Sequence, residues 1–339
     1  YVSIQSLAEF IGNVVAAEPG VEQAPLHYKG LEIVRNDMLK QSAGNYEYTF
    51  CLPEMARLDV QWWLDNILSC VKKIRSLGSP DYVTESDASN AGWGARFRDA
   101  STGGEWTVQE AEAHINVLEL KAAFLTLQTF CSSLHDCHIR LMMDNTTAIA
   151  CINKYGSTKP ALFQLSRDIF AWSAERSIEL TAAHIPGIEN ITADRESRTH
   201  NQDMEWKLRE HVFARLCDLF EIPDIDLFAS RINHQVARYT AWRPDPGAFA
   251  IDAFSVSWNS GLNYAFPPFS IINQVLKKME GEEAEMIIII PAWPTKAWYP
   301  LVGRRLVAPA VLLPKDCLYL PQKPATHHRL PTLRLLACR

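Results

Sequence analysis

Four acidic residues in the middle of the chain, Asp87, Glu119, Asp144 and Asp194, are spaced as metal-ion chemistry would require. Tyr82–Ser86 and His138–Met143 read as strands that end in Asp87 and Asp144, while Glu119 lies one turn into a helix and Asp194 in a later one. Side chains at strand ends and on a neighbouring helix face converge on one edge of a sheet. Carboxylates gathered there repel one another and raise each other's pKa unless cations intervene. Hard divalent ions with oxygen ligands suit such a set, Mg2+ first and Mn2+ as the alternative. Two of them about 4 Å apart activate a water and stabilise the leaving oxygen of a phosphodiester.

The elements that must position these acids follow from periodicity. Trp93, Ala95 and Phe97 alternate toward the turn-like Asp99-Ala-Ser-Thr-Gly-Gly104, and Glu105–Gln109 reads as the returning strand. A helix runs from Asn116 to about Leu134, with apolar positions at Val117, Leu120, Phe124, Leu127 and Phe130. Helices at Thr146–Asn153 and Ala161–Ala174, a strand at Ile178–Ala183 and a helix from about Ile191 complete the order β-β-β-α-β-α-α-β-α. The fold class is α/β, a mixed five-stranded sheet flanked by helices, assigned to residues 79–202. Residues 1–78 read as a helical segment: Val2–Ala16 and Pro53–Leu77 each carry apolar faces, the second through Leu58, Trp62, Leu64, Ile67, Leu68 and Val71. A break at Leu77-Gly-Ser-Pro-Asp81 ends it. A second α/β unit spans 203–302, with a helix from Met204 to Phe220, another at Ile271–Met279 and a buried strand at Ala284–Pro291. Residues 303–339 are Pro-rich and basic, with seven Lys and Arg against Asp316 alone, and read as a tail or linker.

The net charge of −6 and pI near 6.0 argue at first against a partner with a phosphate backbone. Split by region, residues 1–80 carry −2, residues 81–200 carry −6 and residues 201–339 carry +2, so the four-acid segment accounts for the whole excess. Two divalent ions would bring that segment to about −2. Eight cysteines without a Cys-x-x-Cys pair exclude a structural zinc site and a disulfide scaffold, which implies a reducing, intracellular setting. No apolar run is long enough to span a bilayer, and no signal peptide opens the chain at Tyr1, which reads as a piece of something longer.

The strings Ser86-Asp-Ala-Ser-Asn-Ala-Gly-Trp-Gly-Ala95, Asn116-Val-Leu-Glu-Leu-Lys-Ala-Ala123, Leu141-Met-Met-Asp-Asn145 and His184-Ile-Pro-Gly-Ile-Glu-Asn-Ile-Thr-Ala-Asp194 resemble type 1 RNase H in order and spacing. The resemblance implies an RNase H-like fold that hydrolyses the RNA strand of RNA·DNA hybrids. It assigns two metal ions to Asp87, Glu119, Asp144 and Asp194, a proton-transfer role to His184 and a loop-stabilising role to Asn190. Ser89, Asn90 and Asn116 match positions that touch nucleic acid, although a hairpin turn and a helix N-cap explain them nearly as well. The short interval from Asp144 to His184 implies that the basic protrusion helix of some members is missing.

The flanks, including Leu7-Ala-Glu-Phe-Ile-Gly-Asn-Val14, Gln61-Trp-Trp-Leu64 and Ile225-Asp-Leu-Phe-Ala-Ser-Arg-Ile-Asn233, resemble the reverse transcriptase region of DIRS-type (tyrosine-recombinase) retrotransposons. That resemblance implies a thumb and connection before the RNase H unit and makes the polymerase palm and fingers, absent from this chain, a partner. Asp226 and Phe266-Pro-Pro-Phe269 resemble a phage-type adenine methyltransferase module, which would use S-adenosylmethionine. Phe266 stands where that family has an amide or acid to accept the adenine amino group, so weak or no methylation is expected. Integrase-type enzymes place their Glu after the second Asp, and DEDD exonucleases need Asp-x-Glu in the first strand; both orders are absent here. The rival of a different class is a non-catalytic scaffold that holds a polymerase and its substrate.

Overall fold

A computed structural model describes residues 1–69, 78–198, 205–323 and 333–339. Three helices come first: α1 (Ile4–Ala17), α2 (Lys29–Gln41) and α3 (Glu54–Asn66). Ser3 caps α1 by accepting the Ser6 amide, and Ile4, Leu7 and Ile11 pack against Leu31, Phe50 and Ala56. The apolar face expected for the third helix is not its buried one. Leu58, Leu64 and Leu68 face outward, whereas Ala56, Asp59 and Trp63 are buried. Charge decides the rotation: Arg167 places a guanidinium nitrogen 3.1 Å from both Asp59 oxygens, and His27 Nδ1 lies 3.3 Å away. Val71 and the rest of the expected helix to Leu77 lie outside the described residues.

Next comes a sheet built from β1 (Tyr82–Ala88), β2 (Gly92–Phe97), β3 (Ala100–Glu105), β4 (His138–Met143) and β5 (Glu179–His184). Its order is β3-β2-β1-β4-β5, antiparallel from β1 through β3 and parallel from β1 through β5. Helices α4 (Ile115–Phe130), α5 (Thr146–Asn153) and α6 (Pro160–Ala174) cover one face with Leu120, Ala123, Leu127, Ile152 and Ile169. Helix α7 (Ile191–Arg198) lies on the other face. This is the mixed five-stranded, helix-flanked α/β sheet expected of residues 79–202.

The segment expected as a turn, Ala100–Gly104, is instead an edge strand, and the turn falls at Arg98, whose φ is 55°. Its glycines serve contact rather than turning. A Cβ on Gly103 would stand 2.6 Å from the Glu196 carbonyl oxygen, and one on Gly94 only 2.0 Å from that of Ala193, so α7 rests directly on glycine backbone.

The last part holds α8 (Glu210–Phe220), β6 (Ile225–Asp226), β7 (Leu262–Ala265), α9 (Ile272–Gly281), β8 (Glu285–Pro291), β9 (Val311–Leu312) and β10 (Leu335–Cys338). The second sheet runs β9-β10-β8-β7-β6, with β6, β7 and β8 parallel. The expectation of a tail for 303–339 is corrected here. Strand β10 pairs antiparallel with β8, and Leu335, Ala337 and Cys338 are buried. A four-residue apolar strand behind a proline-rich stretch is too short to announce itself by periodicity. Met204 lies outside the described residues, and the expected helix there begins only at Glu210, after a short strand at Lys207–Leu208.

Both flanks grip the first sheet. Lys29 Nζ donates to the carbonyls of Lys154 (2.5 Å) and Gly156 (2.8 Å) beyond the end of α5. Arg231 reaches Glu110 at 2.7 Å, and Gln322 donates to Glu105 at 2.6 Å. Among the described residues no helix is long and apolar enough to cross a membrane.

Candidate metal centre

Parallel pairing of β1 with β4 aligns Glu85 with Met142, so two residues further on Asp87 and Asp144 emerge side by side at one sheet edge. Helix α4 brings Glu119 to the same point. One carboxylate oxygen from each of Asp87, Glu119 and Asp144 lies within 4.8 Å of the others. Asp87 and Glu119 are both buried.

Burial and repulsion show in the acidities. The Glu119 carboxyl is pushed up to about 8, first by burial and then by the charges of Asp87 and Asp144, against a backbone hydrogen bond from Ala88. Asp87 rises to about 6, chiefly by burial and further by Asp144 and Asp194, while the Ser197 hydroxyl and the Arg198 charge act the other way. Glu119 Oε2 is buried and finds no hydrogen-bond partner among the described residues. A buried carboxyl oxygen without a partner among the described residues, beside two further carboxylates, fits a hard divalent cation, which would supply the missing partner, displace the proton and reverse the repulsion.

The remaining residues singled out in the sequence fall as follows. Asp194, on α7, stands outside the three-acid group; its Oδ1 accepts from Arg198 Nε (2.7 Å) and Nη2 (2.6 Å). The strand expected to end at Ala183 runs one residue further, so His184 is the exposed last residue of β5 and pairs with Met143, next to Asp144. Asn190 is fully buried and donates to the Ser86 carbonyl at 3.0 Å, which ties the loop before α7 to the strand that carries Asp87. The Ser89 hydroxyl is spent within the structure: it donates to the Ser197 carbonyl at 2.7 Å and accepts from the Ala91 and Gly92 amides at 3.1 Å. Asn90 is exposed at that turn. Asn116 is not the cap of α4, because His114 holds that place and accepts the Asn116 amide. The Asn116 side chain instead accepts from Asn145 Nδ2 at 3.0 Å.

Sequence reasoning missed Ser197. Its fully buried hydroxyl shares one proton between Asp87 Oδ2 at 2.7 Å and the Asp194 carbonyl at 2.8 Å, joining α7 to the acid on β1. The only hint in the sequence is its place one turn after Asp194.

A second concavity lies in the last part of the chain, a cavity of about 470 Å³ walled by Trp206, Phe228, Trp242, Phe254, Phe266 and Phe269. Asp226 is not among the residues that line it. Its carboxylate accepts the amides of Phe228 (3.3 Å) and Gln235 (2.9 Å), and burial pushes its pKa up to about 7.

No protein-family model and no curated protein matches the chain. Among solved structures, the RNase H1 of the halophilic archaeon Halobacterium salinarum is similar over 33% of this chain and 91% of its own, with 20% identity and a TM-score of 0.28. An RNase H1 solved in complex with RNA/DNA hybrid is similar over 33% of this chain and 89% of its own, with 24% identity and a TM-score of 0.27. The protease-reverse transcriptase of prototype foamy virus is similar over 56% of this chain and 28% of its own, with 10% identity and a TM-score of 0.23.

Proposed function

We propose that this chain is a ribonuclease H that hydrolyses the RNA strand of RNA·DNA hybrids, as part of the reverse transcriptase of a DIRS-type retrotransposon. One observation carries the reading. Three acids from β1, α4 and the end of β4 meet at one sheet edge, and one of them keeps a buried oxygen without a partner. Asp87, Glu119 and Asp144 would hold the first of two Mg2+ or Mn2+ ions, and Asp194, turned from Arg198, would complete the second position. Bound there, the ions supply an activated water and charge stabilisation of the leaving oxygen.

The chain's own residues do the rest. Ser197 holds the Asp87 carboxylate through Oδ2. Asn190 holds the loop that separates His184 from α7. His184, exposed beside Asp144, can accept a proton and pass it to solvent. Residues 79–202 form the hydrolase in this reading, 1–78 the connection to a polymerase, and 203–302, with strands β9 and β10 completing its sheet, a methyltransferase-like unit. The Phe266 side chain, which offers no hydrogen-bond acceptor at the cavity wall, is the reason to expect weak or no methyl transfer from that unit.

The test is cleavage of hybrid, duplex RNA and duplex DNA with Mg2+ or Mn2+, by the whole chain and by its Asp144→Asn variant. The wild type should cut only the RNA of the hybrid, and Asp144→Asn should cut nothing. Cleavage of DNA, or full activity in the variant, sinks the reading. Calorimetry that finds no carboxylate-dependent Mg2+ or Mn2+ binding would favour the scaffold.

A further inference from the structure

The first sheet carries the acidity of the chain and no expected basic protrusion, so a substrate with a phosphate backbone needs another hold. A basic and aromatic surface runs from α7, where Arg198 pairs with Asp194, to the loop at Trp242 and Arg243. On α7, Arg195 and Arg198 are 63% and 65% exposed. Between them Glu196 contacts Arg195 at 3.2 Å through one oxygen and Arg243 at 3.8 Å through the other. Arg243 lies over the ring of Trp242, 4.9 Å from its centre, and Trp242 is 63% exposed.

What sets this indole apart is its company, an arginine over its ring and two more exposed arginines on the neighbouring helix. The loop that presents it is fixed at both ends of the contact. Thr102 of β3 donates to the Pro244 carbonyl at 2.6 Å, and Tyr239 donates to Asp245 at 2.6 Å. Exposed aromatic, stacked guanidinium and flanking arginines are together the chemistry that grips an unpaired strand, through base stacking and phosphate pairing.

We infer that Trp242 and Arg243, with Arg195 and Arg198, form a platform for a single-stranded nucleic-acid segment continuous with the hybrid at the metal centre. Trp242 stacks on an unpaired base, and the arginines take the phosphates between that base and the cleavage edge. The inference rests on the hydrolase reading for its substrate, and it assigns the grip to the last part of the chain rather than to the first sheet.

The test uses the whole chain carrying Asp144→Asn, which binds without cutting. Fluorescence anisotropy compares a hybrid with a single-stranded overhang, a blunt hybrid and a free single strand. Adding Trp242→Ala should weaken overhang binding about 5- to 100-fold and blunt binding little, and Trp242→Phe should restore most of the loss. Adding Arg195→Gln with Arg243→Gln should lower the salt dependence of binding by about one to two units of slope. Affinities within about twofold of the parent for Trp242→Ala on all three ligands would overturn the platform. The same holds if Trp242→Ala changes only self-association in sedimentation, which would make this face a contact between copies. If the wild type fails to cut hybrid while binding still depends on Trp242, the hydrolase reading falls and the platform stands. If it cuts and Trp242 is silent, the reverse follows.

Discussion

Replacing Glu119 with Gln should make the metal-free protein more stable at alkaline pH while destroying its capacity to bind metal. The native Glu119 carboxyl is held at about 8 against an ordinary value of 4.5. Below about 4.5 the group is protonated in both folded and unfolded chains and carries no penalty. Between about 4.5 and 8 the native chain keeps a proton that the unfolded chain has lost, so its contribution to stability falls as pH rises through that window. At about 1.4 kcal/mol per pKa unit the full penalty approaches about 5 kcal/mol, a ceiling because Asp87 and Asp144 share the titration. Gln keeps the shape and removes the charge. Denaturant melts of wild type and Glu119→Gln, with chelator present, should coincide near pH 4 and diverge toward pH 9 in favour of the variant. With Mg2+ or Mn2+ added, the wild type alone should gain stability, through binding to the folded state. Two curves that stay parallel from pH 4 to 9 would refute the claim that Glu119 is held against its charge.

The same acidities predict proton release. At pH 7 a group at about 8 is roughly nine-tenths protonated and one at about 6 roughly one-tenth, so calorimetry in buffers of different ionisation heat should find about one proton freed as Mg2+ or Mn2+ binds; none freed would contradict it. Arg167→Ala leaves the buried Asp59 with His27 alone beside it and should cost up to about 3–5 kcal/mol in a thermal or denaturant melt. Gly94→Ala should displace α7 and with it Asp194 and Ser197, seen as lost hybrid cleavage in a chain that still shows α/β circular dichroism. Deleting residues 333–339 should expose the Ile287 and Ile289 face and make the chain aggregate, seen by light scattering.

Much of the site could be read because its acids end strands or sit on an amphipathic helix, where periodicity fixes which way a side chain points. Asp87 and Asp144 are of this kind, and Glu119 follows from the face of α4 that carries Leu120 and Leu127 inward. The glycine strand Ala100–Glu105 was not legible, since its glycines answer to a helix 90 residues away and not to local turn chemistry. Helix α3 misled for a similar reason: its apolar count favoured Leu58, Leu64 and Leu68, but the buried pairing of Asp59 with Arg167 turned them outward. Ser197 depends on the distance between α7 and β1, two elements 110 residues apart in the chain, which no spacing in one sequence reveals. Strand β10 escaped because its four residues follow a basic proline-rich stretch whose composition suggested solvent.

The seat of the Trp242 loop on β3 also sets an order in time. Thr102 is fully buried by a carbonyl that lies 142 residues later in the chain. At about 5–20 residues per second of synthesis, that edge waits roughly 7–30 seconds for its cover. Throughout that interval the nascent chain offers an unprotected sheet edge rich in glycine, the kind of surface that pairs with a neighbour on the same message. The N-terminal helices are made before the sheet and dock on α6, at the far side from β3, so they cannot shield it. A ribosome stalled between residues 184 and 244 would therefore hold a sheet ready to associate, and the yield of soluble protein should depend on how quickly that stretch is read.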